Sequence, residues 1–136
     1  MDTLLHIGGG VAFSLAFIAL ARTLGRQREI LLYGVALGVT AAIYVLFAAI
    51  AGAGSVIPVE LLGVALFGGL GALGAWRWPA LLAAGWAGHV AWDLLVADAS
   101  ATGYAPTWYP AFCIGADLFL AGYIAGLVWS GRNNPR

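Results

Sequence analysis

The sequence predicts an all-α polytopic membrane protein, a bundle of five transmembrane helices with its N-terminus outside and its C-terminus cytoplasmic. Three observations predict it. Of the 136 residues, 62% are hydrophobic and only 9% charged, whereas a soluble domain is near half apolar and about a quarter charged. Five apolar runs have the roughly 18 to 22 residues that a helix needs to cross a hydrocarbon core of about 30 Å. All the arginines fall on one side of those runs, in connections or in the tail.

The first span, residues 4–21, stops at Arg22. Ala19-Leu20-Ala21 looks like a cleavage site, but Met1-Asp2-Thr3 lacks the positive start of a secretory leader, so the span is expected to be retained. The second, residues 30–51, ends at Gly52-Ala53-Gly54, where glycine relaxes the chain. The third, residues 56–75, carries Pro58 in its first turn, and the fourth, residues 79–97, begins with Pro79. Proline is tolerated there because first-turn N–H groups lack helical partners. The fifth, residues 108–129, follows Thr107 as a cap, opens on Trp108, Tyr109 and Pro110, and ends at Trp129. The connections are too short for a second domain, so residues 1–136 form a single transmembrane domain. The longest connection, residues 98–107, is either a lid or a plain connector.

Arginine in short loops resists translocation. Arg22, Arg26, Arg28, Arg77, Arg132 and Arg136 therefore place the C-terminus inside. Trp76, Trp78 and Trp129 are expected in an inner aromatic belt, with Tyr104, Trp108 and Tyr109 in an outer one.

Lipid gives no hydrophobic drive for helix association, so small residues must let backbones approach. Gly34 with Gly38, Ala84 with Gly88, and Gly122 with Gly126 have that spacing, for packing within the chain or for a homo-oligomer face. Membrane lipids, a second copy or a membrane-complex subunit are the expected partners. Nucleic acid is not, because net charge is zero and no basic run occurs. The chain has no lysine, which excludes a retinal Schiff base, and no phosphate-binding Gly-Lys-Ser/Thr loop, Gly-x-Ser-x-Gly elbow or His-Glu-x-x-His helix. The single Cys113 allows no intrachain disulfide.

Titratable groups inside a membrane are costly and mark functional sites. His89 and Asp93 are four apart and share one helical face, and Cys113 and Asp117 repeat that spacing on the next span. At a rise of 1.5 Å per residue, His89 and Asp117 both lie about 12 to 14 Å below the outer boundary, and Asp93 and Cys113 about 6 to 8 Å. Short connections make consecutive antiparallel helices neighbours, so the two pairs are expected to face each other. Glu60 and His6 lie shallower on the same side, and the concentration in one leaflet suggests a cavity opening outward. The inner half offers only Thr40, Tyr44 and Tyr123 as polar steps.

The catalytic candidates are His89, Asp93 and Asp117, with Glu60, Trp92, Trp108 and Tyr109 as substrate-binding candidates. One chemistry is a divalent metal such as zinc, iron or manganese, held by His89, Asp93 and Asp117 with Glu60, His6 or Cys113, and activating water. The other is metal-free acid–base catalysis on a lipid or isoprenoid, in which a protonated carboxyl gives a proton and His89 takes one. Two further classes stay open: a proton- or cation-coupled carrier, and a non-catalytic subunit or scaffold of a membrane complex. Haem held by His6 and His89 would need two ligands that differ in depth by roughly 8 Å.

The run Gly85-Trp86-Ala87-Gly88-His89-Val90-Ala91-Trp92-Asp93, followed by Pro106-Thr107-Trp108-Tyr109-Pro110 and Cys113-Ile114-Gly115-Ala116-Asp117, resembles the domain of unknown function 6010 family of small bacterial membrane proteins. The resemblance covers about the last third of the chain with specific residues. It implies a multi-pass protein of the bacterial cytoplasmic (inner) membrane and no known activity. The family pattern has histidines where this chain has Val96 and Ala97. Pro58-Val59-Glu60 and Trp92-Asp93 are loosely similar to small heterodimer-type lycopene cyclases, whose second adjacent acid is Leu61 here.

Overall fold

Backbone polar groups in lipid must be satisfied within the segment that carries them, and a helix does this for any long apolar run. A computed structural model describes residues 1–97 and 103–133, and among these no strand occurs. The helices are α1 (Asp2–Arg22), α2 (Arg26–Ile50), α3 (Ile57–Trp76), α4 (Ala80–Trp92) and α5 (Tyr109–Asn133). Gly25, with φ of 84°, makes the tight turn from α1 into α2, in a left-handed conformation that side chains resist. Pro58 stands in the first turn of α3, and Pro79 immediately precedes α4.

Four of the helices, α1, α2, α3 and α5, are long and apolar enough to cross a membrane. The fourth expected span differs. Its apolar helix, Ala80–Val96, is shorter, and it is α-helical to Trp92 and widens into a π-helical turn over Asp93–Ala97. Residues 98–102 of the following connection, expected as a lid or connector, lie outside the described residues, as does Arg136.

The packing is built on two close crossings. In α2 against α3, a Cβ on Gly71 would lie 2.3 Å from the Gly34 carbonyl oxygen, and one on Gly34 would lie 2.6 Å from that of Gly71. In α1 against α5, a Cβ on Gly10 would lie 2.0 Å from the Phe112 carbonyl oxygen, and one on Gly115 would lie 2.1 Å from that of Ile7. Ser14 fastens the second crossing by donating to the Ala116 carbonyl at 3.1 Å. The α4 helix completes the bundle by packing on α3, α5 and α2. Gly74 makes room for Leu82, Gly85 for Leu37, and Gly63 for the Trp92 ring.

Of the expected small-residue pairs, only Gly34 sits in a close crossing. Gly38 is in ordinary contact with Gly68, and Gly88 with Phe67. Ala84 is exposed, and Gly122 and Gly126 face open space. Their four-residue spacing is therefore no guide to which face is covered. Tyr104 and Tyr109, expected in an outer belt, are instead buried with Tyr44, Ala48 and Cys113 at the end of the bundle where the chain starts. Trp76, Trp78 and Trp129 do remain exposed, at the arginine end.

These contacts separate essential from incidental glycines. Gly115→Ala is expected to lower stability to thermal unfolding in detergent by about 1–3 kcal/mol, the usual cost of overpacking. Gly122→Ala is expected to stay within about 0.5 kcal/mol of the wild type. Equal midpoints for the two variants would contradict the α1–α5 crossing.

Candidate functional site

The α4 and α5 helices face each other, and their inward polar residues meet. His89 Nδ1 lies 2.8 Å from Asp117 Oδ2 and 3.5 Å from Asp93 Oδ2. The 2.8 Å contact is a hydrogen bond across the helix interface, while Asp93 stands four residues after His89, at the start of the π-helical turn that follows α4. From α2, the Tyr44 hydroxyl donates to Asp93 Oδ1 at 2.7 Å. His89 and Asp93 are fully buried and Asp117 is 1% exposed. The edge of Phe67 closes over the imidazole, with ring centroids 4.8 Å apart.

Charge accounting decides what the cluster can be. A neutral imidazole with two carboxylates carries two negative charges, and among the described residues no arginine pairs with either acid. Buried charge without compensation is too costly to persist. The cluster is neutral with two added protons, or with one divalent cation. Its donor atoms suit either, since one ligand atom from each of His89, Asp93 and Asp117 lies within 4.8 Å of the others. His89 Nε2 and Asp93 Oδ2 have no hydrogen-bond partner.

Glu60 forms a separate polar layer. It is 1% exposed, accepts from Trp92 Nε1 at 3.1 Å, and also accepts from the Tyr104 hydroxyl. Trp92 joins the layers, since its ring lies over Gly63 and meets Phe67 edge-on. Trp92 is thus placed as a link between Glu60 and the pocket of His89.

The remaining candidates fall outside the three-residue cluster. His6 is half-buried near the start of α1, and Cys113 is buried beside Tyr109. Glu60 is occupied by Trp92 and Tyr104. Of the six expected metal donors, the fold gathers His89, Asp93 and Asp117 only. Trp108 is half-exposed and packs edge-on against Tyr109 and Phe112.

A cavity of about 240 Å³ reaches the cluster between α1, α2 and α5. Its walls are mainly apolar, among them Phe13, Val39 and Phe112, and among the described residues Asp117 is the only carboxylate that lines it. Thr40, Trp86, Tyr109 and Cys113 also line it. A larger groove of about 730 Å³ lies between α2 and α3 toward the arginine end and includes none of the cluster.

Two features escaped the sequence reading. Tyr44, expected in the inner half, belongs to the His89 cluster. It stands only six residues before the end of α2, a depth comparable to that of Asp93. Glu29, read as part of a connection, is buried in the first turn of α2 and accepts from Tyr33 and Tyr123, each at 2.9 Å. The four-residue spacing of Glu29 and Tyr33 was the available signal.

No family model, curated protein or solved structure matches this chain.

Tyr44→Phe keeps the ring and leaves Asp93 Oδ1 without its donor. A buried acceptor stripped of its partner costs about 1–3 kcal/mol. A loss of that size is expected in the unfolding free energy in detergent, and an unchanged value would contradict the Tyr44–Asp93 bond.

Proposed function

We propose that this is a five-span membrane protein, N-terminus outside, whose His89–Asp117 pair carries out acid–base chemistry on a lipid or isoprenoid chain. The observation that carries the reading is Asp117 itself. Among the described residues it is the one carboxylate in the wall of an apolar cavity, and it is hydrogen-bonded to a buried imidazole.

In this reading Asp117 presents a proton to a double bond of the chain in the cavity. The carbocation then loses a proton from a neighbouring carbon to the same carboxylate, completing an isomerisation or cyclisation with no net consumption of protons. His89 holds Asp117 in place and exchanges a proton with it. Asp93, fixed by Tyr44, offsets positive charge on the imidazole. The cavity is smaller than the roughly 300–1,000 Å³ of typical small-molecule sites, which fits the end of a chain better than a whole lipid. Two of its walls, α1 and α2, touch each other only sparsely. That gap favours entry sideways from the bilayer.

A second reading has its own support, because a histidine and two carboxylates converging on one point are also ligands for a divalent cation such as zinc, iron or manganese. Elemental analysis of the purified protein separates the two. Near-stoichiometric metal that disappears in His89→Ala would establish the metal centre, and a metal-free wild type would leave the proton chemistry.

The proposed activity is tested by mass spectrometry of lipid extracts from membranes expressing wild type, Asp117→Asn or His89→Ala. Each variant is expected to accumulate an isoprenoid or lipid of the same mass as, but a different retention time from, the species in wild-type membranes. Identical profiles, with all three proteins inserted at equal levels, would refute the enzyme reading.

A further inference from the structure

The arginine end of the bundle carries unmatched positive charge. Arg22, Arg26, Arg28 and Arg77 gather there, and among the described residues its one carboxylate is Glu29, buried and occupied by the Tyr33 and Tyr123 hydroxyls. Two of these arginines are engaged. Arg26 donates to the Leu127 carbonyl at 3.0 Å, and the Arg77 guanidinium lies over the Trp78 ring. Arg28 is exposed and, among the described residues, pairs with no carboxylate.

Arg28 also lines the groove of about 730 Å³ between α2 and α3, at the end where Gln27 and Trp76 stand. From there the groove runs along α2 to Gly38 and along α3 to Gly68, and its lining beyond Gln27 and Arg28 is glycine and apolar side chains. The ten residues from Arg28 to Gly38 rise about 15 Å, half of a hydrocarbon core of roughly 30 Å. The groove is therefore one leaflet deep, apolar along its length and cationic at the level of the headgroups.

Those features choose among occupants. A second copy inserted the same way would bring its own arginines to this level, and no free acid among the described residues. A plain hydrocarbon would leave Arg28 unmatched. A phospholipid with an anionic headgroup meets both parts, because its phosphate oxygens accept from the guanidinium and an acyl chain covers the apolar length. Basic pockets between transmembrane helices bind headgroups of this kind.

We propose that the groove between α2 and α3 binds one anionic phospholipid of the leaflet on the arginine side, with its phosphate on Arg28 and an acyl chain reaching Gly38 and Gly68. The site shares no residue with the cavity at Asp117, so it goes beyond the acid–base reading and stands or falls independently of it.

Full-length protein in a neutral detergent is titrated with dioleoyl phosphatidylglycerol or dioleoyl phosphatidylcholine, which share acyl chains and differ in net charge, and bound lipid is counted by native mass spectrometry. The wild type is expected to bind one phosphatidylglycerol about fivefold more tightly than phosphatidylcholine, the factor that one arginine near an anionic headgroup provides. Arg28→Gln is expected to lose that preference. Arg22→Gln is expected to keep it, since Arg22 lies outside the groove. Gly68→Leu is expected to weaken the binding of both lipids in a folded protein, because a Cβ at Gly68 meets nothing within 4 Å.

Equal affinity for the two lipids, or a preference that survives Arg28→Gln, would overturn the proposal. Equal losses in Arg28→Gln and Arg22→Gln would reveal a diffuse surface attraction in place of a site and overturn it too. Unchanged binding in Gly68→Leu would remove the groove as the seat of the lipid, and dimers that exclude lipid would give the groove to a second copy; either result contradicts the assignment.

Discussion

Two carboxylates beside one imidazole, buried where none of the described arginines reaches them, set the terms for the rest of the molecule. Asp93 and Asp117 approach His89 from the π-helical turn after α4 and from α5, and Tyr44 reaches the cluster from α2. Each bond ties a different helix to the same point. The group persists only if its charge is neutralised on the spot, by protons or by a cation. That requirement makes it a place where protons or a metal are held, and separates it from Glu29, whose carboxylate sits nearer the arginine end with two tyrosine donors.

Bringing the helices close enough for a 2.8 Å contact falls to glycine. The Gly10–Gly115 crossing seats α1 on α5, and Gly34–Gly71 seats α2 on α3. The α4 helix is then held from three sides. The polar bonds add direction to a bundle whose affinity comes from backbone contact. In lipid, interhelical hydrogen bonds average well under about 1 kcal/mol in measured cases, so the packing carries most of the stability and the cluster fixes the register.

Much of this was legible in the sequence, because depth and helical phase follow from counting. The four-residue spacings of His89 with Asp93 and Cys113 with Asp117, at matched depth on adjacent helices, led directly to the His89–Asp117 contact. The lateral partners were not legible, since nothing in a single helix says which neighbour its tyrosines meet. Tyr44 was set down as a polar step of the inner half and not as a partner of Asp93, and Glu60 was read as a substrate-binding or metal candidate although Trp92 and Tyr104 enclose it. The decisive glycines were missed on the same account. Gly10 and Gly115 lie on different helices and form no spaced motif, while the well-spaced Gly122 and Gly126 meet nothing. The π-helical turn at Asp93 has no signature in the local apolar pattern.

The central claim is that His89 shares its Nδ1 proton with Asp117, and the chain suits a direct measurement because it has only two histidines. His6→Gln leaves His89 as the sole imidazole, so ¹⁵N-histidine NMR of that variant in bilayers reports on it alone. A strongly hydrogen-bonded Nδ1 signal is expected, moving markedly on Asp117→Asn and less on Asp93→Asn. A signal that ignores Asp117→Asn would contradict the bond on which the account rests.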